Sequence, residues 1–88
     1  MTDRSREVSG PPRRLPRVGA VLDLEPGQWR FGDRPILIRV TAVRADISRW
    51  YSGDWVWVNA DEINEAGEYV WPMQLLVSCD AIPDEALA

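Results

Sequence analysis

This chain contains no histidine and no lysine, and it has a single cysteine, Cys79. Without histidine there is no Ser-His or Cys-His catalysis and no histidine-ligated metal site. One thiol cannot build a zinc ribbon or an intramolecular disulfide. No GxxxxGK, GxGxxG, GxSxG or CxxC pattern occurs, so the usual phosphate, dinucleotide, esterase and redox signatures are absent. The longest unbroken apolar run is four residues, Trp55 to Val58, far short of a membrane span. Residues Met1 to Arg14 lack the apolar centre of a secretory signal, so the expected location is the cytoplasm.

What is present is a globular composition, with 45% apolar and 27% charged residues in 88. That length supports one small domain, which hides only about 60% of the surface of its unfolded chain. All ten bases are Arg and lie between Arg4 and Arg49, a usage resembling that of GC-rich bacterial genomes. Residues 1–17 carry a net +3, residues 18–49 a net +1, and residues 50–88 eight acids with no base. Either a basic arm sits on an acidic body, or the fold interleaves the halves and mixes their charges.

Residues 1–16, rich in Arg and Pro and without periodicity, read as a flexible arm. The ordered domain is expected over 17–83, with 84–88 as a short acidic tail. Alternation over 17–25 places Val18, Ala20, Leu22 and Leu24 on one face of a strand. Ile36 to Arg44 puts Ile36, Ile38 and Val40 on one side and Arg39 and Thr41 on the other. Trp55 to Ala60 is a third strand, after the turn signal Ser52-Gly53-Asp54. Tyr69 to Cys79 is a fourth, and Pro72 within it marks an edge strand or a bulge. No stretch of ten residues has a helical stripe. The expected fold is all-β: a small barrel of four to five short antiparallel strands.

The landmarks Ala20 to Leu24, Ser52-Gly53-Asp54-Trp55, Trp71-Pro72 and Ala81-Ile82-Pro83 resemble, in order, those of an SH3-type barrel. The family's binding tyrosines are replaced by Leu22 and Leu24, Val56 stands for its second Trp, and no SNY segment follows Pro72. The resemblance thus implies an SH3-like architecture without the proline-peptide function. The overall pattern also resembles short Arg-rich actinobacterial proteins of unknown function.

Five Trp are the loudest feature, and Trp50, Tyr51, Trp55 and Trp57 fall within eight positions. Strand geometry sets Trp55 and Trp57 on one face and Val56 and Val58 on the other. Either the valines fill the core while the 28–35 loop covers the Trp side with Trp29 and Phe31, or the Trp pair is a contact surface. The latter reading makes the chain a non-catalytic protein-interaction module. Its surface would join Trp50, Tyr51, Trp55 and Trp57 with Arg44 and Arg49, and its partner would be another protein or a second copy. A nucleic-acid-associated protein using Arg13, Arg14, Arg17 and Arg39 is the alternative, opposed by the acidic body. A small enzyme or metal-binding accessory ranks last, and no catalytic residue, cofactor or metal is expected. Alignment of Gly67 with the EF-hand glycine fails, because Ala66 and Met73 occupy ligand positions, so 61–68 reads as a solvated hairpin loop. Cys79, at the parity of Leu75 and Val77, reads as a buried structural thiol.

Overall fold

The computed structural model describes residues 12–30, 32–44 and 53–88. Four strands, β1 (Val21–Leu24), β2 (Ile36–Val43), β3 (Trp55–Ile63) and β4 (Tyr69–Ser78), form one open antiparallel sheet in the order β1-β2-β3-β4. The protein is all-β, and two single-turn 3₁₀ segments, Cys79–Ala81 and Asp84–Ala86, follow β4. Among the described residues no helix is long and apolar enough to cross a membrane.

The alternation in each strand selects the core. Leu22 and Leu24 of β1, Ile36, Ile38 and Val40 of β2, Val56, Val58 and Ala60 of β3, and Leu75 and Val77 of β4 are all buried in one cluster. Each large aliphatic side chain hidden this way contributes about 1.5–3 kcal/mol. Val56 and Val58 therefore belong to the core, and Trp55 and Trp57 project from the other face. Trp29 packs against the valine-side cluster. Phe31, its expected companion in a cover over the Trp side, lies outside the described residues.

Beyond the turn after β1, residues 28–30 run along the outer edge of β4. Arg30 N–H donates to Leu76 O (2.8 Å), Ser78 N–H donates to Gln28 O (2.8 Å), and Trp29 bridges to Val77. The sheet stays open: residues 28–30 add a short segment to its β4 edge, and among the described residues no β1–β4 ladder closes the expected barrel. Since Leu76 and Ser78 turn their backbone groups outward, strand alternation turns Gln74 and Pro72 outward as well. Pro72 sits where its missing N–H would face solvent, as an exposed edge requires. The register of β4 also slips nearby, between Glu62 and Ile63 of its partner, where Val70 is the extra residue. Both expectations for this proline are met.

Strand boundaries differ from those expected at β1 and β3. β1 begins only at Val21, and Val18, expected on its inner face, lies in the preceding turn and is 64% exposed. β3 runs on through Asp61, Glu62 and Ile63, which pair with Pro72, Trp71 and Tyr69. The loop of the hairpin is therefore only 64–68, while Glu62 still lies opposite the buried Ile38 of β2 and Ile63 is itself buried. Asn64 organises that loop: its Oδ1 accepts from the N–H groups of Ala66 (3.0 Å) and Glu68 (2.8 Å), and its Nδ2 donates to Glu68 Oε1 (2.9 Å). Gly67 closes the turn at φ +82°, a conformation that a side chain disfavours.

The arm and tail boundaries also move. Residues 12–16 and 84–88 are part of the fold, joined in a clasp at the opposite end of the sheet from the hairpin loop. Pro16 bridges Leu87, Arg17 N–H donates to Ala86 O (2.8 Å), and Ala88 N–H donates to Leu15 O (2.9 Å). Pro12, Pro16, Ile82 and Ala86 are buried there. Gly53, at φ +87°, accepts Arg13 N–H at 3.0 Å, and the Cys79 thiol lies 3.4 Å from the same carbonyl. The thiol is also 3.5 Å from Arg14 O. The burial expected of Cys79 is observed. The rest of the expected arm, residues 1–11, lies outside the described residues.

Candidate interaction surface

The expected aromatic surface is only partly placed by the fold. Trp55 and Trp57 sit on the outer face of β3, opposite Ser78 and Leu76 of β4, and both are half-buried. Leu76 between them is buried. Arg44 follows β2, half-buried, and its N–H donates to Trp57 O at 2.8 Å. Arg49, Trp50 and Tyr51 lie outside the described residues.

The arginines of the nucleic-acid alternative divide. Arg13 Nε donates to Asp54 (3.1 Å) and its Nη2 to Asp80, while Arg14 Nη2 reaches Asp84 (2.7 Å) and the carbonyl of Ile82 (2.8 Å). The hydrogen bonds it donates to Asp80 and Asp54 hold the Arg13 pKa above its ordinary value. These two cations are spent on acids that the fold gathers around the chain ends. Arg17 and Arg39 are exposed, one at the clasp and the other on the outer face of β2 opposite Asp61. The four do not form one patch: the clasp holds three of them and the middle of the sheet the fourth.

The more exposed aromatic set lies elsewhere, on β4 near the hairpin loop, away from the stretch of edge that residues 28–30 cover at Leu76 to Ser78. Tyr69 is 62%, Val70 46% and Trp71 54% exposed. Trp71 faces Glu62 across the β3–β4 ladder, and its Nε1–H donates to Glu62 Oε1 at 2.7 Å. The same carboxylate takes a two-pronged bond from Arg34, 3.0 Å to Oε2 and 3.1 Å to Oε1. Above Trp29 the Arg34 guanidinium stands 5.9 Å from the ring centroid. Trp29 in turn donates Nε1–H to Arg34 O (3.0 Å), with Gly32 folded against its ring so closely that no Cβ fits. The series Trp29, Arg34, Glu62, Trp71 thereby ties the loop after β1 to the hairpin.

This network sets both charge and orientation. Arg34 is the main cause that holds the Glu62 carboxyl below the usual carboxylate range, with the Trp71 N–H adding to it and burial opposing it. With its indole N–H committed, Trp71 shows solvent its ring. Asp23, Glu62 and Glu65 line a shallow concavity beside it with Ile36 and Leu37. Glu65 and Glu68 at the hairpin loop take part in no ion pair among the described residues. Nothing in the sequence pattern marked Tyr69 and Trp71 as exposed, since they share the parity of Met73, Leu75 and Val77. The available signal was the adjacent polar loop Asn64 to Glu68, which predicts that this end of the strand leaves the core.

Compared with known proteins, the chain matches no family model, no curated protein and no solved structure. What fold and surface define together is a small antiparallel sheet protein with an orientated, exposed aromatic end.

Proposed function

We propose that this chain is a non-catalytic binding module that docks a protein partner through the aromatic end of its β3–β4 hairpin. One observation carries this reading: Tyr69, Val70 and Trp71 are exposed together, and Trp71 is held in place by Glu62. Large aromatic side chains in water are costly for so small a domain, whereas Trp and Tyr supply most of the energy in protein contacts. A ring fixed in advance loses little freedom on binding. The half-buried Trp55 and Trp57 with Arg44 would serve as a secondary contact on the outer face. An SH3-like small barrel remains the architecture we favour, supported by the 28–30 segment that adds to β4. A cytoplasmic location is supported by the free, buried thiol of Cys79 in a chain without a second cysteine.

The test is site-specific photo-crosslinking in the cells that make the protein. A benzophenone amino acid replaces Tyr69, Trp71, Val18 or Trp55 in four separate full-length variants. Discrete adducts to one protein from positions 69 and 71, with none from 18, are the expected outcome. Adducts from 55 alone would move the surface to the outer face, and adducts from none would end the proposal.

A further inference from the structure

Resting on that docking surface, we infer that its occupant is an extended, arginine-rich segment of another protein, laid over the Trp71 ring and along the acidic hairpin loop. Charge is the first ground. From Trp55 to Ser78 the hairpin carries Asp61, Glu62, Glu65 and Glu68 and no base. Only Glu62 of these four is ion-paired among the described residues, to Arg34. The exposed Glu65 and Glu68 thus give the hairpin loop a negative charge without a paired base, and a chain that places one cation over the Trp71 ring can place another at the loop.

The molecule contains its own example of this recognition. Arg34 lies over the Trp29 ring and forks onto Glu62, so one guanidinium answers an indole and a carboxylate together. Trp71, on the other side of Glu62, has a ring open to solvent, and Glu65 and Glu68 are exposed on the loop that joins its strand to β3. The planar guanidinium suits stacking plus forked bonding, and a lysine ammonium does not.

Two other occupants are disfavoured by the same geometry. A second copy docking by this surface would bring Glu65 and Glu68 against their own counterparts, at a cost from like charge. A strand added to the β4 edge would meet Pro72 turned outward without an N–H to donate. The occupant therefore lies on the face of the hairpin and brings positive charge.

The experiment is fluorescence anisotropy of the full chain with a fluorescein-labelled Gly-Arg repeat peptide, against Gly-Lys and Gly-Glu repeats of equal length. Saturable Gly-Arg binding is expected, weaker for Gly-Lys and absent for Gly-Glu, and weakening as salt is raised. Trp71→Ala should weaken it about tenfold, and Trp71→Phe, which keeps a ring, much less. The pair Glu65→Gln with Glu68→Gln should weaken it too, with the urea midpoint unchanged, whereas Tyr69→Ala, on the face of Ile63, should weaken it less than Trp71→Ala. Equal binding of Gly-Arg by wild type and Trp71→Ala would mean nonspecific charge attraction and would overturn the inference. Self-association in sedimentation that Trp71→Ala abolishes would overturn it in favour of a second copy. The two readings fail separately. A cross-link from Tyr69 or Trp71 to a neutral or acidic segment removes the arginine-rich occupant alone, while no cross-link at all removes the surface.

Discussion

Glu62 and Trp71 face each other across β3 and β4, and the indole N–H donates to the carboxylate at 2.7 Å. That single bond joins the charge network of the loop after β1 to the most exposed indole described. It has a pH dependence whose sign is fixed. Because the folded-state pKa of Glu62 is below its unfolded value, the associated stability is fully present above the ordinary carboxylate range. It is lost as pH falls through the depressed folded value. Carboxyl-carbon NMR should show Glu62 titrating below the usual carboxylate range, and Arg34→Ala should bring it back up. A Glu62 midpoint within or above that range would contradict the network.

Val56 and Trp55 are neighbours in sequence on opposite faces of β3. Val56→Ala should cost about 2 kcal/mol, from lost burial plus the cavity left behind. Trp55→Ala should cost less, since the indole is only half-buried. Urea midpoints of the two variants measured side by side give the order. A larger loss at Trp55 would place a second core on the outer face.

Gly32 lies against the face of the Trp29 ring, with no room for a methyl group. Gly32→Ala must push the indole away from the core, at about 1–3 kcal/mol. Loosening Trp29 also disturbs Arg34, so the Glu62 titration should shift upward in the same variant. Near-ultraviolet circular dichroism and the urea midpoint read the two effects. An unchanged spectrum would show that the loop accommodates the methyl freely.

The clasp predicts that the last five residues are needed for stability. Removal of 84–88 exposes Pro16, withdraws Ala86 and Leu87, and leaves Arg17 N–H and Leu15 O without their strand partners. The urea midpoint should fall, by about 2 kcal/mol in stability terms. Cys79, next to Arg14 O and Gly53 O, should react slowly with a thiol reagent in the intact protein and several-fold faster in the truncated one. Equal rates would show that the clasp does not guard the thiol.

Much of the fold was legible in the residue pattern, for identifiable reasons. Ile36, Ile38 and Val40 alternate strictly, so β2 begins at the expected residue and buries the expected side. Pro72 announced an edge because a residue without an N–H is tolerated only where that group would face water. Arg13 and Arg14 were different. Nothing local distinguishes them from a soluble arm, because their partners Asp54, Asp80 and Asp84 lie 41 to 70 positions away. The end of β4 was similar, since Trp71 keeps the parity of core residues and nothing local announces the extra residue Val70 that sets Tyr69 on the other face.

Backbone chemistry and the alternation of apolar side chains were enough to determine four strands, their core faces and the turns at Gly53 and Gly67. Those are local properties, set by φ/ψ preference and period-2 burial within a few residues. Which side chains are exposed along one face was decided only by assembly. A strand face is buried as far as neighbouring segments cover it, and along the β4 edge residues 28–30 supply that cover at Leu76 to Ser78 rather than at Tyr69 to Trp71. The same long-range assembly placed Arg34 between Trp29 and Glu62, orientated Trp71, and brought the acids of the second half onto the arginines of the first.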